Sequence, residues 1–386
     1  MLLAILCTMS LPVCAQTNAS DAQLLSGPFS GQSSCSSSGC HGGAGEKRGT
    51  VISFNKLDYH TRSAATLTLA RSAVIASVLK ISDPSASARC TVCHAPFQAI
   101  ATNTALVKAL DPASGVGCEN CHAPGEKWLL THTRDDLTHA DRVHAGMRDL
   151  ENLYVRANTC VACHQNVSAD LLQAGHPELI FELDGQSVTE PKHWREKPDW
   201  SGPKSWLVGQ AVALRESAWQ LTQEKSPTEN AINRAEALLW LVKAACKKNI
   251  TLFGYIAFER SAAVTVSFER AGSAERIQEG SDEFARAVAG VPWSAEATRN
   301  CLDVLAGTAS DFRDTSLSRA AQARRAERLV LALDRLVAGL CDDAIAKRLD
   351  APLNQLFKDA QSLPDFDPQQ FAAHLEEFQK ALASTP

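Results

Sequence analysis

The hydrophobic pattern changes character near residue 200. Beyond it, Trp206, Leu207, Ala211 and Leu214, with Gln210 and Ala213 between them, recur at helical spacing and open an amphipathic helix. The run Ser226-Pro227-Thr228-Glu229 reads as an N-cap, a first-turn proline and a capping-box acid. It stands ahead of Leu238, Leu239, Leu241 and Val242 and predicts a helix running to Cys246. Leu329, Val330, Leu333, Leu336, Val337 and Leu340 trace another core-facing stripe, preceded by Arg324, Arg325, Glu327 and Arg328 as a mostly solvated face. Asp367-Pro368-Gln369-Gln370 starts a last helix, with Phe371, Leu375 and Phe378 on one side. These signals predict a helical-bundle-like domain of four to six helices over residues 201–386. The stretch 263–268, Ala-Val-Thr-Val-Ser-Phe, fits a short strand as an alternative.

Before residue 200 the periodicity is weak, and loops with short helices are expected to dominate. A small strand at 51–54 is the one exception that the apolar run Val-Ile-Ser-Phe suggests. The Gly/Ser-rich stretch 33–45 favours irregular backbone. Residues 1–15, MLLAILCTMSLPVCA, form a short apolar segment ending in Val13 and Ala15, which reads as a signal peptide cleaved after Ala15. A flexible segment over 16–31 follows it. Val13 is bulky for the residue before a lipidated cysteine, which argues against anchoring through Cys14. Later apolar runs are broken by charges, so the expectation is an exported, periplasmic and soluble protein.

Composition adds bounds. A chain of 386 residues with 45% hydrophobic and 21% charged residues is long enough for two cores and ordinary enough to fold. A formal charge of -5 without a long basic run excludes nucleic acid as an expected partner.

The 13 cysteines would suggest disulfides in an exported protein, but eight of them fall into four pairs with a histidine directly after each pair. Cys90-Thr-Val-Cys93-His94, Cys118-Glu-Asn-Cys121-His122 and Cys160-Val-Ala-Cys163-His164 are complete haem-attachment motifs: two thiols bond the haem vinyl groups and the histidine reaches the iron. Cys35 and Cys40-His41 form a fourth site with four residues between the thiols, where Ser and Gly accommodate the wider loop. A zinc site would not require histidine after all four pairs. Four covalently attached haem c groups are therefore expected over residues 32–200, with His41, His94, His122 and His164 as proximal iron ligands and haem iron as the metal. Cys246, Cys301 and Cys341 read as core thiols, with a disulfide between two of them as the alternative.

Six-coordinate irons need a second ligand each. Of the 11 histidines, His60, His132, His139, His144, His176 and His193 are the distal candidates, while His374 lies deep in the helical region. Trp194, Trp200 and Trp206 near the junction fit either a local core or a wall against porphyrin edges.

On these strings the chain resembles the cytochrome c-554 family of tetrahaem electron carriers and related multihaem c-type cytochromes over about residues 32–200. The likeness rests on one displaced and three regular attachment sites, on Gly117 to Gly125 around the third, on His132 beyond it, and on Ala174-Gly175-His176-Pro177. The resemblance implies crossed ligation, in which His60, His132 and His176 serve haems of other motifs. It also implies an open coordination position at the second motif, opposite His94. The whole reads as a mainly α fold, a loop-rich tetrahaem cytochrome c domain followed by the bundle.

Three functional classes follow. The leading expectation is electron transport between a redox protein donor and acceptor in the periplasm. The first alternative is an enzyme that reduces or oxidises a small nitrogen-oxide species at one five-coordinate haem, with Lys127, Arg134 or Arg142 near an anionic ligand. The second is a docking subunit of a membrane-associated respiratory complex. No catalytic set stands out in the C-terminal half, so no catalytic residue is assigned.

Overall fold

A computed structural model describes residues 28–45, 48–100, 114–248, 268, 272–361 and 363–384. The signal peptide at 1–15, most of the 16–31 segment and all but the last residue of the 263–268 alternative lie outside the described residues.

Among the described residues all regular structure is helical. The first half is built from short pieces: α1 Thr50–Leu57, α2 Ala70–Val78, α3 Ala88–His94, α4 Phe97–Ile100, α5 Cys118–His122, α6 His139–His144, α7 Leu153–His164, α8 Ala169–Gln173 and α9 Leu183–Thr189. Among its described residues the second half holds eight helices where four to six were expected: α10 Gly202–Gln223, α11 Glu229–Cys246, α12 Ser273–Gly290, α13 Ala295–Ala306, α14 Ala309–Arg313, α15 Arg319–Gly339, α16 Asp343–Gln361 and α17 Pro368–Ala383.

The predicted strand at 51–54 is instead part of α1. Val51 and Phe54 are both buried while Ile52 is exposed, a three-residue interval that a helix satisfies and an alternating strand does not. In α11 the cap is Thr228, whose side chain accepts from the Ala231 N–H at 3.2 Å, so the helix starts two residues later than the Ser226 reading. Proline at 227 disfavours the helical conformation for Ser226 and stands outside the helix. Asp367 caps α17 as expected, accepting from the N–H groups of Gln369 and Gln370.

The basic run ahead of the α15 stripe is not a solvated face. Arg328 is only 2% exposed. Burial lowers its pKa to about 10. Arg324 and Arg234 each meet Glu178, both at 2.7 Å. Arg324 and Arg328 on α15 and Arg234 on α11 face the acidic segment before α9, so their charges are matched inside the protein and not by water.

The apolar core begins at Leu153 and runs to Leu382, crossing residue 200 without a break. Helix α10 lies at its centre and packs against α7, α9, α11, α12 and α15. Trp206 is fully buried there, Trp200 packs against the edge, and Cys246 and Cys301 are buried thiols. Buried apolar residues before Leu153, such as Phe54 and Phe97, stand outside this core.

Glu182, at the start of α9, is buried beside Gln210, whose amide donates to it at 2.6 Å. Burial pushes its pKa up to about 8 from 4.5. Between those values the folded state holds a proton that the unfolded chain has released, so stability falls as pH rises through this window. The slope is at most about 1.4 kcal/mol per pH unit. Glu182→Gln is expected to flatten it, as measured by denaturant unfolding between pH 5 and pH 8 (~5–8, the glutamate window); a variant with the parent's slope would rule the assignment out.

Candidate functional site

Helical geometry explains three of the four attachment motifs. The second motif forms the end of α3, the third is the whole of α5, and the fourth ends α7. Residues three and four apart share a helix face, so each pair of thiols and its histidine point to one side. The first motif is built differently. Turns at 36–40 take up the extra residues, with the Cys40 N–H donating to the Ser37 carbonyl and the His41 N–H to the Cys35 carbonyl, both at 3.0 Å.

Each of the four motif histidines faces one other histidine. His41 and His132 have ring centroids 6.1 Å apart at an interplanar angle of 22°. His94 and His176 are 6.3 Å apart at 66°, and His122 and His193 are 6.3 Å apart at 66°. His164 and His60 are 5.8 Å apart at 84°, with their Nε2 atoms 3.5 Å from each other. Two metal–nitrogen bonds of about 2 Å laid end to end separate the nitrogens by about 4 Å, close to the 3.5 Å between the Nε2 atoms of His60 and His164. His60, His132, His176 and His193 are thus brought to the motifs. His139 meets Asp149 and Glu151, His144 is exposed at the end of α6, and His374 contacts Asp359.

Residues 33–123 match the family model described as cytochrome c554 and c-prime. No curated protein and no solved structure matches the chain. The matched segment holds the first three motifs of this cytochrome-type pattern and ends just after His122, so the fourth motif and the histidines at 132, 176 and 193 lie beyond it.

Within and beyond the cytochrome segment, hydrogen bonds fix the rings. His94 Nδ1 lies 3.2 Å from the Ser63 carbonyl and 2.9 Å from Thr66 Oγ1. His132 Nδ1 meets the Leu129 carbonyl at 2.5 Å, His176 Nδ1 the Pro177 carbonyl at 2.8 Å and His193 Nδ1 the Pro191 carbonyl at 3.4 Å. The Gln186 side-chain amide stands 3.3 Å from His164 Nδ1. A carbonyl at Nδ1 of His94, His132, His176 and His193 leaves Nε2 as the electron-pair donor toward the partner ring, the arrangement that metal-ligating histidines adopt. Burial lowers the pKa of His122 to about 4, with His193 adding to the effect, and burial likewise lowers His41, His94 and His164. Neutral imidazole is the ligand form.

His60 differs: its Nδ1 lies 3.0 Å from Asp58 and 3.2 Å from Glu190, and these carboxylates raise its pKa to about 10. The His193 loop is held from the fourth motif's helix. Arg156 of α7 donates to both oxygens of Glu196 at 2.8 and 3.0 Å, and the Trp194 indole donates to the same carboxylate at 2.6 Å. Glu119, within the third motif, accepts from the N–H groups of Ser30, Gly31 and Gly125 and ties the start of the described chain to α5.

The thiols fall into neighbouring sets as well. Cys35 and Cys118 are hydrogen-bonding neighbours, and so are Cys93 and Cys163, with the Cys35 and Cys163 thiols pushed well up by those contacts. Burial raises Cys160 to about 12, with Cys121 contributing. Nine of the ten exposed large hydrophobic side chains among the described residues lie between Ile52 and Val188, the stretch that holds the three regular motifs. Lys127 is exposed, Arg134 pairs with Asp136, and Arg142 donates to the Arg134 carbonyl, so these basic groups are solvated or locally bound.

The sequence reading missed Asp58, Glu190, Gln186 and the Arg156–Glu196 clamp. Asp58-x-His60 was a visible signal, since an aspartate two residues before a histidine can reach its ring. Glu190 and Gln186 come from a distant helix and carried no local signal.

Proposed function

We propose that the chain is an exported tetrahaem c-type cytochrome that passes electrons between protein partners, each centre held by one of the four histidine pairs. The observation that carries this reading is the pairing itself. Every histidine that follows an attachment pair meets one, and a different, second histidine. Haem bound at these positions supplies reversible one-electron iron chemistry. His94 and His176, like the other three pairs, would hold a haem from both sides and would leave no room for a substrate at its iron. That supports a carrier over an enzyme acting on nitrogen oxides.

The thiol neighbours support an order for the centres. Cys35 beside Cys118 links the first motif to the third, Cys121 near Cys160 links the third to the fourth, and Cys93 beside Cys163 links the fourth to the second. Haems held at these thiols would be neighbours in that order and would supply a path for one-electron transfer. The bundle from α10 onward acts as the scaffold on which the fourth motif's helix is built. Attachment of haem through thioethers and the short apolar N-terminus both fit an exported, periplasmic protein.

The test is intact mass with electron paramagnetic resonance on protein matured with a c-haem assembly system. Four haems and only low-spin signals are expected. Near-parallel imidazole planes separate the iron dπ orbitals, whereas steeply crossed planes leave them close in energy. One rhombic signal from the His41/His132 centre and three strongly anisotropic ones should therefore be seen. A persistent high-spin haem in the unaltered protein would overturn the carrier reading.

A further inference from the structure

Of the eight paired histidines, His60 alone has a carboxylate at its Nδ1 among the described residues, and it has two. The Nδ1 partners found for the others are neutral: the carbonyls of Ser63, Leu129, Pro177 and Pro191, and the amide of Gln186. Resting on the reading of the pairs as axial ligands, we propose that Asp58 and Glu190 are positioning residues that give the His60/His164 centre the lowest reduction potential of the four.

When Nε2 serves the iron, the ring has one hydrogen, on Nδ1, and here two anionic oxygens compete for it at 3.0 and 3.2 Å. The shared hydrogen is drawn away from the ring, the imidazole becomes a stronger donor, and ferric iron is favoured over ferrous. Asp58 is nearly fully buried and Glu190 is part-buried, so solvent screens the charges weakly.

Both acids are held in place. Asp58 also accepts from the His60 backbone N–H at 2.8 Å, and Glu190 caps the C-terminal end of α9. The same helix carries Gln186 against His164, so α9 supports both rings of this one pair. Among the nearby cations, Arg156 is paired with Glu196, and Arg148 donates to the Asn120 and Cys121 carbonyls on the third motif's side. In the order first, third, fourth, second, the fourth centre is interior. A low potential there separates the second centre from the first and third, so electrons are exchanged between two reservoirs across it.

The experiment is a spectroelectrochemical titration of the haem-loaded protein, resolved into four one-electron components, for the parent, Asp58→Asn, Glu190→Gln and the double variant. The double variant is expected to raise the lowest component by at least about tenfold in its oxidation equilibrium, about 59 mV for one electron. Each single variant should move it part of the way, and the other three components should stay. The component that moves should belong to the paramagnetic signal that disappears in His60→Ala. Asp149→Asn, which removes a similarly placed carboxylate from the unpaired His139, should move none. The proposal falls if the lowest component stays where it was, if a different one moves, or if all four rise together. It also falls if both single variants lose a haem by mass, which would make the carboxylates structural supports only. A parent protein lacking four low-spin haems would defeat the carrier reading; four low-spin haems with an unmoved lowest component would defeat this inference alone.

Discussion

Replacing His176 by alanine is expected to leave four haems on the chain and convert one of the four from low to high spin. In the proposed arrangement attachment rests on Cys90, Cys93 and His94, none of which is touched, whereas His176 supplies only the ring facing His94 at 6.3 Å. Alanine cannot reach the metal, so the opened position should take up about one equivalent of cyanide or nitric oxide where the parent takes up almost none. The same outcome is expected, one centre at a time, for His60→Ala, His132→Ala and His193→Ala. His139→Ala and His144→Ala should leave the spectrum unchanged, because one ring is bound to Asp149 and Glu151 and the other is exposed. Added imidazole should restore the low-spin signal in each distal variant by occupying the space left behind. Paramagnetic resonance with mass measurement separates the outcomes. Loss of two low-spin signals from a single substitution, or of none, would refute the one-to-one pairing.

The attachment motifs were legible because covalent chemistry demands a fixed local spacing. Two thiols and a histidine at Cys90, Cys93 and His94 must lie within one helical turn, and sequence distance and spatial distance then coincide. Distal ligands obey no such rule. His60 and His164 are 104 residues apart in the chain and still meet, and nothing local in either segment announces the other. The candidate set of six therefore contained the four rings that pair, while the partners were settled by the course of the loops. Local pattern also misled where tertiary contacts decide. The run at 51–54 has strand-like residues, yet burial of Val51 and Phe54 on one side selects a helix. The arginines ahead of the α15 stripe have the composition of a wet surface, but Glu178 and Glu182 arrive from outside that helix and make Arg328 an interior charge. The later helices were easier to read because their apolar stripes are their own instructions, as the stripe from Leu329 to Val337 illustrates.

Trp206→Ala is expected to destabilise the haem centres and the bundle together. The indole is fully buried on α10, and replacing a buried tryptophan by alanine costs about 3–5 kcal/mol through lost burial and the space left behind. For a cooperative unit of this size that loss lowers Tm by on the order of 10 °C. The fall should reach the fourth centre because α7 belongs to the same core. Its Leu153, Tyr154, Ala157 and Val161 are buried with the bundle residues, while Cys160, Cys163 and His164 form the proposed attachment motif. Polar contacts reinforce the junction. Tyr154 donates to Asp282 of α12 at 2.6 Å, Arg215 of α10 donates to the same carboxylate at 2.8 Å, and the Arg286 guanidinium lies 4.2 Å from the centre of the Tyr154 ring. Thermal unfolding followed by haem absorbance and by far-ultraviolet circular dichroism should give coincident transitions in the parent and in the variant, both displaced by the same amount. If the dichroism midpoint falls while the haem-monitored midpoint stays, the fourth motif's helix is stable without the bundle, and the shared core does not couple the two halves.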